Sequence, residues 1–216
     1  RYSKRVDADL LVAGAASQCY THEEGDNGCA KAFKLIVLRS ALRKYRRVLV
    51  LDDTVVVRRD APDVFDFVPV VALGATVEDP LVRSPSEAKQ SLEISCLRYG
   101  IPCNTEEAWF NSGVLVVSWP QLGLVETLPP WDSFERVLHW DQGYLNAMRL
   151  KYAVPLVDLG YAFNWVGSFH STNAGNAPFS AFDAFFVHGT TGLFLPHLER
   201  GEYLVTVSRA WDLVGL

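Results

Sequence analysis

An α/β fold with a mostly parallel central sheet flanked by helices follows from three features of this 216-residue sequence. Short apolar runs rich in Val and Leu alternate with helix-like stretches, the order that βα units produce. No internal repeat, low-complexity tract or linker divides them, so residues 1–216 read as a single domain. Hydrophobic residues make up 49% and charged residues 21%, a balance that builds a core without a metal or disulfide staple.

The elements come in the following order. Asp9 to Ala13 reads as a strand and the polar stretch Gln18 to Gly28 as a loop. From Ala30 to Tyr45, the apolar residues Phe33, Val37, Leu38, Ala41 and Leu42 recur with helical spacing and give one buried face. Arg47 to Leu51 and Val55 to Val57 are strand material, interrupted by Asp52, Asp53 and Thr54. Pro62 breaks the chain, and Val68 to Ala75 forms another apolar run. Ser84, Pro85 and Glu87 supply an N-cap, a first-turn proline and a capping-box acid, and Gly100 ends that helix. Val114 to Val117 is a continuous apolar run, as in a strand covered on both faces. Trp140 to Leu150 reads as a helix, and Val154 to Val157 and Ala184 to Val187 as two strands. Phe169 to Phe179 is a loop long enough to serve a function, and Leu198 to Leu216 is expected to hold a last helix.

The net charge of −5 argues against a general nucleic-acid binder. Between Asn27 and Leu51 there is no acid, but there are seven bases, Lys31, Lys34, Arg39, Arg43, Lys44, Arg46 and Arg47. They read either as the solvated face of a helix or as a local positive field for a diphosphate, and different residues can serve each. Cys19, Cys29, Cys96 and Cys103 form no CxxC pair and no zinc spacing. A Cys19–Cys29 bridge and free thiols both fit. No apolar run reaches the roughly 20 residues of a membrane span, and no signal peptide is visible. The chain opens on Arg1, inside what reads as mid-domain sequence, so the expectation is a domain lacking its first strand. The compartment is left open between cytoplasm and Golgi lumen.

The sharpest chemical signal is an apolar strand that stops on two carboxylates, Asp52 and Asp53, before the apolar pattern resumes at Val55. In open α/β sheets, ligands sit beyond the carboxyl ends of strands. Two adjacent acids there repel unless a cation or hydrogen-bond donors compensate them. A divalent ion shared with a diphosphate would do so; an ordinary Asp-Asp turn remains the alternative.

The run from Tyr45 to Val57 resembles the DxD strand of glycosyltransferase family 8, the glycogenin-like group. Tyr45, Arg47, Val48, Leu49, Leu51, Asp52, Val55 and Val57 match its pattern. Four further elements follow in the family's order: Phe110-Asn111-Ser112-Gly113-Val114, Asp141-Gln142 with Leu145-Asn146, Asn164-Trp165, and Phe186-Val187-His188. The resemblance spans about residues 30 to 192. It implies a GT-A (Rossmann-like) fold, a nucleotide-sugar donor, usually UDP-linked, a carbohydrate or glycoconjugate acceptor, and a Mn2+ or Mg2+ ion. It gives Asp52, Thr54 and His188 to the metal, with Asp53 as a substitute ligand by a small shift. Lys34 would face the donor diphosphate, although its spacing to Asp52 is off by one. Asn111, Ser112 and Gly113 would line the donor sugar, with Asn164 and Trp165 beside them. Asp141 and Gln142 would sit at the reacting sugar face. Retention at the anomeric carbon is the family's stereochemistry.

Three departures stand out. Thr54 replaces the second acid of DxD, and a hydroxyl is a poorer ligand for a hard cation. The family's closing Lys and Trp are missing after His188. The first, nucleotide-cradling strand is absent or shortened. The sequence therefore supports an active hexosyltransferase first. The second reading is a non-catalytic sugar-nucleotide or glycan-binding module, motivated by Thr54. A nucleotidyltransferase is disfavoured, because no Gly-rich phosphate loop follows a first strand. His22, His139 and His197 read as solvated or structural. His170 divides between acceptor contact and plain loop.

Overall fold

The computed structural model describes residues 2–13, 28–80, 82–129, 140–166 and 180–189, with the side chains of 28–32 and 140 left out. The elements are α1 (Tyr2–Arg5), α2 (Gly28–Leu42), β1 (Arg47–Leu51), β2 (Val55–Val57), β3 (Leu73–Val77), α3 (Pro85–Arg98), β4 (Phe110–Ser118), α4 (Gly123–Glu126), α5 (Trp140–Lys151), β5 (Leu156–Asp158), β6 (Trp165–Val166) and β7 (Phe186–His188). They form two sheets, ordered β1-β4-β3-β5 and β2-β7-β6.

The strand directions are mixed rather than mostly parallel. β4 runs antiparallel to both β1 and β3, and β2 is antiparallel to β7. Only β3–β5 and β6–β7 are parallel among the described strands. The apolar run of β4 announces two covered faces, and all nine of its residues are buried. Coverage, however, is set by the layers above and below and carries no information on strand direction.

Alternation along the strands divides the core in two. Leu115 and Val117 of β4, with Val48 and Val50 of β1, face a layer of helices that contributes Leu35, Leu38, Leu92 and Leu145. Val114 and Val116, with Leu49 and Leu51, face the opposite way, onto Val64, Val68, Phe163 and Phe186. A strand of period two can satisfy both layers. β1 therefore lies between a helical layer and the smaller sheet. Its chain leaves at Asp52 and enters that smaller sheet as β2 three residues later.

The ends of α3 follow from its sequence. Ser84 Oγ accepts from Glu87 N, and the Glu87 carboxylate accepts from Ser84 N at 3.1 Å, a closed capping box. At the other end Gly100 takes φ +62°. Ile101 N then donates to Cys96 O and Gly100 N to Leu97 O, the Schellman pattern.

Asp9 to Ala13, expected as a strand, has no regular structure and pairs with none of the described strands. Leu10, Leu11 and Val12 stay exposed, so apolar content alone did not recruit a partner. The strand expected within Val68 to Ala75 begins only at Leu73. Arg47 reaches over the turn that leads into β3, donating to the carbonyls of Phe65 and Val68 and lying 5.0 Å from the Phe65 ring. Among the other bases of that run, Arg43 pairs with Glu126 at 2.6 Å, and Lys44 and Arg46 are exposed. Cys96 is buried and Cys103 exposed, both free thiols, and burial pushes the Cys96 thiol up to about 12. Among the described residues, no helix is long and apolar enough to cross a membrane. The expected loop at 169–179, the last helix, His22, His139, His170, His197 and Cys19 lie outside the described residues.

Candidate active site

The carboxyl end of β1 carries Asp52, whose N–H donates to Gly113 O on β4 at 2.9 Å. This bond sets the acid against Asn111, Ser112 and Gly113. Lys34 comes up from α2 between them. Its ammonium donates to Asp52 Oδ1 at 2.8 Å, to Ser112 O at 2.9 Å and to Ser112 Oγ at 3.3 Å, and it pairs with Asp141 Oδ2 at 2.5 Å. Ser112 Oγ also donates to Asp141 Oδ2 at 2.7 Å. Burial works against the Lys34 charge, but Asp141 and then Asp52 outweigh it and hold its pKa well above the usual lysine range.

His188 closes the cluster from the second sheet. Its Nε2 lies 3.6 Å from Asp52 Oδ2, and its Nδ1 lies 3.0 Å from Asn164 Oδ1. Gly113 is what lets the ring in: a Cβ there would stand 2.0 Å from His188 Cε1 and 2.3 Å from Nδ1. The group pressed against Gly113 is thus the His188 imidazole. Gln142, one residue beyond Asp141 on α5, turns Oε1 toward Ser112 N at 3.4 Å and Asn111 Nδ2 at 3.5 Å.

Two residues absent from the sequence reading complete the arrangement. Glu78, just past β3, is buried and accepts from Asn111 Nδ2 at 3.0 Å and Gln142 Nε2 at 3.2 Å. Arg83 Nε holds its other oxygen at 2.5 Å while the guanidinium lies 5.8 Å from the Trp109 ring. A signal existed for Glu78. Like Asp52, it is an acid directly beyond the carboxyl end of a mostly apolar strand.

The remaining expected positions are placed as follows. Asp53 is exposed, and Thr54 O accepts from Gly189 N at 2.8 Å, which puts residue 54 beside the end of β7. Trp165 lies buried in β6, opposite Val187. The described residues contain no group of three or more His, Cys, Asp and Glu side chains arranged to share an ion. Two donors do converge, Asp52 Oδ2 and His188 Nε2. Their 3.6 Å separation is too long for a hydrogen bond. It is close to the roughly 3 to 3.6 Å between two ligands that each sit about 2.1 Å from one ion. The pair fits an ion that brings further ligands with its substrate, as magnesium does with phosphates.

No family model matches the sequence, and no curated protein sequence matches it. Solved structures do. The bifunctional glycosyltransferase WbbM, in apo form, aligns with a TM-score of 0.54 and 14% identity over 88% of this chain and 36% of its own. The galactosyltransferase LgtC, in complex with donor and acceptor sugar analogues, aligns with a TM-score of 0.54 and 18% identity over 86% of this chain and 66% of its own. An active-site mutant of LgtC gives 0.51 and 16% over 89% and 71%. The chain thus spans about a third of WbbM and just under two thirds of the first LgtC structure. The architecture is that of the GT-A glycosyltransferases: an α/β protein whose sheets are flanked by helices.

Proposed function

We propose that this chain transfers a glycosyl group, a hexose, from a nucleoside-diphosphate sugar, preferentially UDP-linked, to a carbohydrate or glycoconjugate acceptor, with retention at the anomeric carbon. The observation that carries the reading is the meeting of Lys34, Asp52, Ser112, Asp141 and His188 at the carboxyl end of β1 on a GT-A architecture.

Charge supports it. One ammonium, Lys34, faces two carboxylates, Asp52 and Asp141, so the three carry a net formal charge of −1. Such a site repels a bare diphosphate and accepts one that arrives with a divalent cation. Asp52 and His188 are the residues that would hold Mn2+ or Mg2+ there. Bound with the diphosphate, the ion would supply positive charge to the departing group. Thr54 would contribute at most a hydroxyl, and Asp53 would reach the ion only by a local shift.

When the bond from C1 to the diphosphate oxygen breaks, its electron pair leaves with the diphosphate and C1 gains oxocarbenium character. The Asp141 carboxylate, pinned by Lys34 and Ser112, offers fixed negative charge to that carbon, and the Gln142 carbonyl adds a dipole. The acceptor hydroxyl then bonds to C1 and gives up its proton to the departing phosphate oxygen. Asn111, Ser112 and Gly113, with Asn164 and Trp165, form the donor wall in this reading.

Calorimetric titration with UDP, with and without Mn2+, tests it. Binding that requires or is strengthened by Mn2+ is expected, and no binding in either condition overturns the reading. Release of UDP from a UDP-hexose should be lost in Asp52→Ala. A second reading, a non-catalytic sugar-nucleotide or glycan-binding module, is favoured by Thr54 at the position of the second acid. Tight UDP binding with no turnover on any UDP-sugar would establish it.

A further inference from the structure

The polar side chains behind His188 all point their amides in one direction. Glu78, a carboxylate held by Arg83, can only accept. It takes Asn111 Nδ2 at 3.0 Å. Asn111 therefore turns Oδ1 the other way, where it accepts from the Gly113 backbone N–H at 2.9 Å and from Asn164 Nδ2 at 3.0 Å. A backbone amide is always a donor, so the Asn111 orientation is fixed independently at both ends. Asn164, its own NH2 engaged by Asn111, presents Oδ1 to His188 Nδ1 at 3.0 Å. A carbonyl oxygen only accepts, so Nδ1 is the nitrogen that donates. Reversing any one amide would set acceptor against acceptor or donor against donor. All four side chains are buried, Asn164 completely so, and water cannot repair such a mismatch cheaply.

We propose that Glu78, Asn111 and Asn164 are positioning residues that select the tautomer of His188, with the proton on Nδ1 and the lone pair on Nε2, the nitrogen directed toward Asp52. The network acts through the ring. Its direction originates at Glu78, three side chains away from the imidazole. Two acceptors, Nε2 and Asp52 Oδ2, then face each other across 3.6 Å, an arrangement that attracts a cation and would be spoiled by a proton on Nε2. The use of this lone pair to hold the donor's cation rests on the transferase reading. The tautomer itself does not.

The test is nitrogen-15 NMR of histidine-labelled protein, without nucleotide, at a pH where the ring is neutral; the His188 signals are assigned by their loss in His188→Gln. The expected spectrum shows a protonated Nδ1 and a lone-pair Nε2. A lone pair on Nδ1 overturns the proposal. In Asn164→Ala the two nitrogens should move toward the averaged pattern of a free imidazole, whereas an unchanged Nδ1–H pattern would show that Asn164 does not select it. Mn2+ affinity of the UDP complex should fall by about 10- to 100-fold in the same variant, the usual cost of losing a partner behind a ligand histidine. If Asn164→Ala does not fold, the wild-type spectrum still decides. A wild-type Nδ1–H pattern in a protein that binds no UDP leaves the network standing and removes the transferase reading instead.

Discussion

Lys34 is the residue on which most of the site's charge converges, and its environment gives it a definite pH behaviour. Its pKa is raised because Asp141 and Asp52 outweigh burial. A group raised in the folded state stabilises the fold fully below its unfolded value, about 10.4 for lysine, and that contribution disappears as pH climbs through the folded value. Lys34→Met leaves two carboxylates facing each other with no compensating charge. A loss of about 3 to 5 kcal/mol is expected from breaking a buried pair in this way. The gap between wild type and variant in urea unfolding should stay constant from neutral pH to about 10 and close only in stronger alkali. A gap that closes near neutrality would mean that the ammonium is not held by these acids. Gly113 sets a steric limit of the same local kind. Gly113→Ala places a methyl 2.0 Å from a ring that Asn164 holds in place. The ring or strand β4 must move, at a cost of about 1 to 3 kcal/mol. UDP affinity should fall along with the urea midpoint. Unchanged affinity would show that the ring's position is immaterial to the donor.

At the scale of elements, α3 provides the cleanest check, since its start rests on a single reciprocal pair. Ser84→Ala removes the acceptor for Glu87 N and the hydroxyl that donates to its carboxylate, leaving the backbone N–H of residue 84 in place. A loss of about 1 kcal/mol in thermal or urea unfolding is expected, with helix content otherwise retained. A value near zero would assign the helix start to Pro85 and tertiary packing. This helix was legible in the sequence because caps are local: Ser84, Pro85, Glu87 and Gly100 each act within one turn of the chain. The helices at α2 and α5 and the strands β1, β2, β4 and β7 were legible for a related reason, the spacing of their apolar residues. Strand direction was not, because β4 reads the same whether its neighbours run with or against it. Nor was the irregular course of Asp9 to Ala13, since a strand needs a partner as well as a pattern. Within the site, the Asp52 to Val57 sequence marked where polar groups interrupt an apolar run, whereas the later Asn111, Asp141 and His188 segments stood out only through their resemblance to a glycosyltransferase pattern. Glu78 carried the same signature as Asp52, but it falls outside the motifs that drew attention, and Arg83 gave no local sign of its role. The imidazole packed against Gly113 belongs to a residue 75 positions later in the chain, a separation that spacing rules do not reach.

Across the whole molecule, the candidate site is a seam. Lys34, Asp52, Ser112 and Asp141 belong to the layer built on β1 and β4, whereas His188 ends β7 of the smaller sheet and Asn164 directly precedes its strand β6. The chain crosses from one to the other at Asp52, and two backbone bonds stitch the crossing: Asp52 N to Gly113 O at 2.9 Å and Gly189 N to Thr54 O at 2.8 Å. A ligand that touches both sides can bind only while the two layers are packed together, so it must stabilise them jointly. Its effect follows from mass action. At 100 times its dissociation constant a ligand adds about 2.7 kcal/mol, which for a chain of this size raises Tm by about 5 to 11 °C. UDP with Mn2+ should therefore shift a single unfolding transition, and far-UV circular dichroism should agree with tryptophan fluorescence. In variants that keep only Trp109, just before β4, or only Trp165, in β6, the fluorescence of a buried ring would report on each layer separately. Two separated transitions, with only one moved by UDP, would show that the nucleotide engages one layer alone, and the seam would then not be where the donor binds.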